Sequence, residues 1–302
     1  MMSEPTWKRN PDVDNNLVCF GELLWDIYED GEKKMGGAPF NVAAIASLKG
    51  IPATMITAVG TDEQGRRICT AAKKKVTLLC QTNEHKTGTA TVERDEKGNP
   101  TFVIEKDVAY GYIIFNDEIE SVCSGAKFFC FGTLAQRSIV SRRTLKKILE
   151  VTNAVKIYDF NYRESINRWQ SIFRESIKQT DILKVNKGEL TLLKSLYKGS
   201  ESDEAFVNTL IRQYELQYVF VTRGDKGASL YSRKTILHKK AFKINVIDTT
   251  GCGDAFTAGI VYSLANDYDD ERILECAIKL AAKIAAVKGA VPDNARVLDV
   301  KC

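Results

Sequence analysis

The most specific chemistry in the chain lies in Asp248-Thr249-Thr250-Gly251-Cys252-Gly253-Asp254-Ala255-Phe256. Two glycines flanking a small residue at the start of an apolar helical run let backbone N–H groups point at an anion, and the helix dipole adds to the attraction. The next residue, Asp254, sets a carboxylate beside that anion hole. Phosphoryl transfer needs this pairing of donors that hold a phosphate with a base that takes a hydroxyl proton. A bare G-x-G-D would serve as well as a capped helix start; the full D-T-x-G-x-G-D-x-F string is far more specific. Other residues could face the acceptor. Asp26 follows the apolar run Leu23-Leu24-Trp25, and a carboxylate accepting from two hydroxyls suits a polyol, although a loop acid in water is the plainer reading. Gly36-Gly37 open a helical run in which Asn41 is set among apolar residues. A buried amide needs partners, which a bound sugar or the backbone would supply. In Asn186-Lys187-Gly188-Glu189 a lone acid is adequate for Mg²⁺, which keeps most of its waters, and is equally an ordinary helix-start acid. Thr222-Arg223-Gly224 is weak alone, since strand-end glycines commonly serve turns.

Together these segments resemble the PfkB-type (ribokinase-like) carbohydrate kinases. Asp248 to Phe256 looks like the family's C-terminal signature, and Gly36-Gly37-Ala38-Pro39-Phe40-Asn41-Val42-Ala43 looks like its N-terminal one, in the right order. The likeness runs from about residue 17 to 292. It implies ATP-dependent phosphorylation of a sugar primary hydroxyl, with Asp254 as catalytic base and Gly251, Cys252 and Gly253 as the anion hole. It implies sugar contacts at Asp26, Gly36, Gly37 and Asn41. Nucleotide contacts fall at Asn186, Thr222, Gly224, Gly227 and Thr250, and Mg²⁺ is associated with Asn186 and Glu189. Lys288-Gly289-Ala290 resembles the stretch beside the purine and a monovalent-cation (K⁺) site. The N-terminal signature, Phe131-Gly132-Thr133-Leu134-Ala135-Gln136-Arg137 and Asp159-Phe160-Asn161-Tyr162-Arg163 are closest to the fructokinase branch, which makes fructose the first substrate to test. Arg163 would present its fork to a phosphate or sugar oxygen, or else form a surface salt bridge. Ribose, 2-keto-3-deoxygluconate and nucleosides remain alternatives, as does a non-catalytic sugar- or nucleotide-binding regulator. Cys252 stands where the family usually has Ala, and Lys73-Lys74-Lys75-Val76-Thr77 lacks the Gly expected at the approach to the lid. At a helix N-terminus, Cys252 is expected to be a thiol of lowered pKa that ATP would cover, or else an inert replacement for Ala.

The elements that must position these residues alternate. Runs Leu17–Phe20, 54–59, 127–131, 155–160, 182–185 and Tyr218–Thr222 read as strands, and 242–247 is strand-like. Segments 40–48, 141–151, 202–214, 255–264 and 273–287 have helical period. Alternation with continuously apolar strands predicts an α/β fold: a ribokinase-like three-layer sandwich around a mostly parallel sheet. Segment 88–114 departs from this pattern. It is Thr- and Val-rich and alternating, with Asp95-Glu96-Lys97-Gly98-Asn99 as a hairpin turn. With about 24–33 it is expected to project as a small β-sheet lid (about 86–115) inserted in one kinase domain, 17–302. The exposed edges of that lid predict pairing into a homodimer.

Net charge is +4, with Lys and Arg dispersed. Lys73-Lys74-Lys75 reads as a solvated helix face rather than a nucleic-acid patch. No apolar stretch reaches the ~20 residues that span a bilayer, so neither nucleic acid nor membrane is an expected partner. Residues 1–16 are polar and read as a disordered tail without a signal peptide. Eight cysteines without a C-x-x-C pair read as reduced thiols of a cytoplasmic protein.

Overall fold

The computed structural model describes residues 15–94, 100–198 and 202–299. The chain opens with β1 (Leu17–Phe20), β2 (Leu24–Ile27), β3 (Lys33–Gly36), α1 (Ala38–Leu48), β4 (Ala53–Gly60), α2 (Glu63–Ala72) and β5 (Thr77–Asn83). There follow β6 (Thr89–Arg94), β7 (Pro100–Ile104), α3 (Asp117–Ser124), β8 (Phe128–Gly132), α4 (Ile139–Val151), β9 (Val155–Asp159) and α5 (Trp169–Ser176). The last part holds β10 (Ile182–Asn186), α6 (Lys187–Leu196), α7 (Asp203–Tyr214), β11 (Tyr218–Thr222), β12 (Ala228–Tyr231), β13 (Ile236–Lys239), α8 (Cys252–Ala265) and α9 (Asp270–Ala285).

Among the described residues the strands form two sheets. The larger has the order β13-β12-β11-β10-β9-β8-β1-β4-β5. It is parallel from β5 to β11, and β12 and β13 are antiparallel. Both of its faces are covered. Leu17 and Cys19 of β1 and Phe128 and Cys130 of β8 pack with α1, α8 and α9. Their neighbours Val18, Phe20, Phe129 and Phe131 point into the opposite layer with α4, α5 and α7. Alternate side chains thus enter two cores, which is why these strands are apolar throughout. After β1 the chain proceeds to β4 and β5 on one side, and from β8 to β11 on the other. The order therefore reverses between β1 and β8, and the crevice beyond the carboxyl ends there is where open α/β sheets form sites.

The smaller sheet has the order β3-β2-β6-β7. Its base is tied down at Asp62, the N-cap of α2, whose side chain accepts from Gly65 N (2.7 Å), Thr87 N (2.8 Å) and Thr87 Oγ1 (2.7 Å).

Several expectations need correction. Segment 242–247 is not a strand. Ile247 N and Asp248 N donate to Ala285 O of α9 instead of to a strand, and Phe242, Ile244, Val246 and Ile247 are exposed. Strand pairing in 88–114 ends at Ile104; beyond it Ala109–Tyr112 forms a buried 3₁₀ turn with Tyr110 in the core. The hairpin turn at 95–99 lies outside the described residues, as does the expected tail up to residue 14. Asn15 and Asn16, read as tail, are anchored: Asn15 Nδ2 donates to Ala265 O (2.9 Å), and Asn16 Oδ1 accepts from Lys127 N (2.7 Å). Cys19, Cys69, Cys80, Cys123, Cys130 and Cys252 are free thiols. Cys276 is disulfide-bonded, so the reading of all eight cysteines as reduced does not hold. No helix among the described residues is long and apolar enough to cross a membrane.

Candidate active site

The first turn of α8 is set by its glycines. Gly251 is the N-cap, with a left-handed φ of 78°, and a Cβ there would lie 2.4 Å from the Ala290 Cβ. The loop before it is held by Asp248, which accepts from Thr250 N (3.0 Å) and from Gly289 N (3.0 Å). The nucleotide-side candidates Thr250 and Lys288-Gly289-Ala290 are thereby brought against each other. Ala255 N makes the first helical bond, to Gly251 O (2.8 Å). Helix geometry leaves the Gly253 and Asp254 amides of the first turn without an intrahelical acceptor. The Cys252 amide, counted in the anion hole from sequence, instead turns back to Thr249 O (3.3 Å). The Cys252 thiol is also unlike its expectation. Burial pushes it up to about 12, with Asp254 and Asp248 adding to the shift. Two nearby carboxylates and loss of water outweigh the helix N-terminus.

Asp254 meets the sugar-side helix directly: Asn41 Nδ2 of α1 donates to Asp254 Oδ2 at 2.7 Å. Asn41 is 4% exposed, and its Oδ1 is buried without a hydrogen-bond partner among the described residues. Burial raises the Asp254 carboxyl to about 6 and Asp159 pushes it further, while Asn41, Lys184 and Arg163 pull it back. Asp26 on β2 is buried and raised to about 7, by burial first and then by the charge of Asp254. Gly36 leaves room for it, because a Cβ there would fall 2.0 Å from Asp26 Oδ2. Gly37, the N-cap of α1 at φ 109°, would clash through a Cβ with Glu22 O at 2.2 Å. Arg163 is partly buried, and its charge acts on Glu22, Asp26 and Asp254. Its half-buried side chain faces these acids. Asp26, Asn41, Arg163 and Asp254, with Gly36 packed against Asp26 and Gly37 against Glu22, therefore gather in one acidic cluster.

The remaining candidates have structural partners. Asn186 and Glu189 form a capping box on α6: Asn186 Oδ1 accepts from Glu189 N (2.9 Å), and Glu189 Oε2 accepts from Asn186 N (2.7 Å). Glu189 Oε1 accepts from Tyr162 N (2.8 Å), which fixes the loop that carries Arg163. With both oxygens engaged, Glu189 fits Mg²⁺ only through water. Thr222 lies beside Asn186 in the sheet register. Gly224 (φ 58°) makes the turn after β11. The need for glycine at Gly227 is local, since a Cβ would sit 2.0 Å from Lys239 O.

Three further residues stand near the site: Glu22 and Lys184 have no role assigned from sequence, and Asp159 is named there only as the start of segment 159–163. Glu22 is 2% exposed, with Oε2 unpartnered among the described residues. Burial drives it up to about 7. Its signal was an acid two residues after a fully apolar strand. Lys184 and Asp159 form a buried pair on β10 and β9. A Lys within an apolar strand was the visible sign.

Comparison with known proteins gives the family and the fold. The model of the pfkB family carbohydrate kinases matches residues 14–295, so the chain belongs to that family and is a phosphotransferase acting on a sugar alcohol group. It is 29% identical to fructokinase-2 of Zea mays over 310 residues, covering 92% of this chain and 91% of that one. The fold is similar to that of an ATP-bound fructokinase of Xylella fastidiosa, with TM-score 0.82, 21% identity and coverage of 92% of this chain and 94% of the other. A double-mutant fructokinase of Vibrio cholerae O395 holding fructose, ADP and potassium gives TM-score 0.78 and 24% identity, covering 95% and 98% of the two chains.

Proposed function

We propose that this pfkB-family kinase transfers the γ-phosphate of ATP to the primary hydroxyl of fructose, giving fructose 6-phosphate and ADP. The observation that carries the reading is the bond from Asn41 to Asp254: the sugar-side and phosphate-side helices meet at one carboxylate. Ionised Asp254 takes the hydroxyl proton. The hydroxyl oxygen bonds the γ-phosphorus as the bond to the bridging oxygen of ADP breaks. The first-turn amides of α8 face the charge that develops, where preorganised donors act most strongly. Asp26 accepts sugar hydroxyls, and the open Asn41 Oδ1 accepts another. Arg163 offsets the acids of the cleft. Mg²⁺, when bound with ATP, supplies positive charge to the phosphates, and Glu189 would reach it through water. The likeness to the family would put a monovalent cation such as K⁺ near Lys288-Gly289-Ala290. The small sheet, which carries Asp26 on β2, would close over the sugar so that water does not compete with it. A cytoplasmic setting is in keeping with the six free thiols among the described residues, while the disulfide at Cys276 stands against it.

ADP release measured over fructose, ribose, 2-keto-3-deoxygluconate and nucleosides tests the substrate. Fructose is expected to give the highest kcat/KM. A higher value for another acceptor would replace fructose, and sugar binding without ADP release from any acceptor would favour a regulator.

A further inference from the structure

A buried ion pair lies directly behind the first turn of α8. Lys184 Nζ is 3.1 Å from each carboxylate oxygen of Asp159, and the two side chains are 7% and 4% exposed. From α8, Thr257 Oγ1 donates to Asp159 Oδ2 (2.9 Å), and it also lies 3.2 Å from Gly253 O. A Cβ on Gly253 would fall 2.9 Å from Lys184 Nζ. The second glycine of the motif therefore makes room for an ammonium packed against the helix backbone. Burying two charges is a poor way to gain stability, because their desolvation offsets their attraction. The location of this pair is more telling.

We propose that Lys184 is a positioning residue for phosphoryl transfer: its ammonium, fixed by Asp159, seats Gly253 and supplies positive charge that faces Asp254 from β10. The inference rests on Asp254 being the base. The charges that act on Asp254 come from several elements. Asp159 stands at the end of β9, Arg163 follows it, and Glu22 and Asp26 lie after β1 and on β2. Lys184 and Arg163 are the cations that offset these acids. Seating the turn fixes where the amides and the carboxylate stand relative to each other, and small displacements of such groups cost catalysis heavily.

The test uses Lys184→Met and the double variant Lys184→Met/Asp159→Asn, which leaves no stranded carboxylate. Thermal unfolding verifies folding, and kcat, sugar KM and the pH profile are measured beside Asp254→Ala. Loss of Lys184 is expected to lower kcat by about 10- to 100-fold with sugar KM little changed, and to move the acid limb of the profile to higher pH. The double variant stays slow. A folded Lys184→Met with wild-type kcat and an unmoved acid limb overturns the proposal. So does recovery of wild-type kcat in the double variant, which would make the pair merely structural. If Asp254→Ala itself keeps turnover, the base assignment fails instead.

Discussion

Asp254, Asp26 and Glu22 crowd one cleft, and each has its carboxyl raised by burial. A base must be ionised to accept a proton, so kcat/KM for the sugar should rise with pH through about 6 as Asp254 ionises. A flat profile from pH 5 to 8 would contradict that role. Glu22 allows a stability test with a definite sign. Its folded-state pKa of about 7 lies above the ordinary 4.5. Its contribution is therefore complete below about 4.5 and is lost as pH rises through about 7. Glu22→Gln should leave the melting temperature unchanged at pH 4.5 and raise it by roughly 3–8 °C at pH 8; scanning calorimetry at the two pH values checks this. The chemistry-bearing residues were legible because their types are unusual where they stand: an Asn in an apolar helix, an acid after two glycines. Their partners were not. Nothing in sequence spacing reveals that Asn41 donates to Asp254 across 213 positions, or that burial, with Asp254 and Asp248 adding to it, pushes the Cys252 thiol up.

At the scale of elements, the site depends on how α8 is launched. Gly251→Ala would place a Cβ 2.4 Å from Ala290 in left-handed backbone. It should cost about 2–4 kcal/mol of stability and raise the KM for ATP. Gly50→Ala is the control: it shares positive φ but meets nothing within 4 Å, so about 1 kcal/mol is expected, with kcat kept. Urea unfolding and steady-state kinetics separate the two. The parallel strands were readable because both of their faces are buried. The run at 242–247 misled because apolar composition alone does not provide a neighbouring strand, and its backbone bonds to α9 instead. The capping box of α6 was present in Asn186 and Glu189; a metal-binding reading of the same two residues obscured it.

For the whole molecule, the small sheet ends among the described residues in the edge strand β7. Val103 of its edge strand β7 is 58% exposed, and exposed edges are normally covered or paired. A homodimer through this sheet is expected in light scattering, and Val103→Lys should shift it toward monomer; a monomeric wild type at all concentrations would rule it out. The fold class was legible at this scale because strand and helix periods alternate along nearly the entire chain, whereas the extent of the lid was not, since Tyr110 and its neighbours fold back into the core. The central claim is that one carboxylate joins the sugar and phosphate halves of the cleft. Its most direct test is ATP-dependent turnover of fructose by Asp254→Ala, with sugar and nucleotide binding measured by calorimetry on the same folded protein. A fall in kcat of about 10²–10⁴-fold, with binding of both ligands retained, is predicted, and near-wild-type turnover would contradict the account.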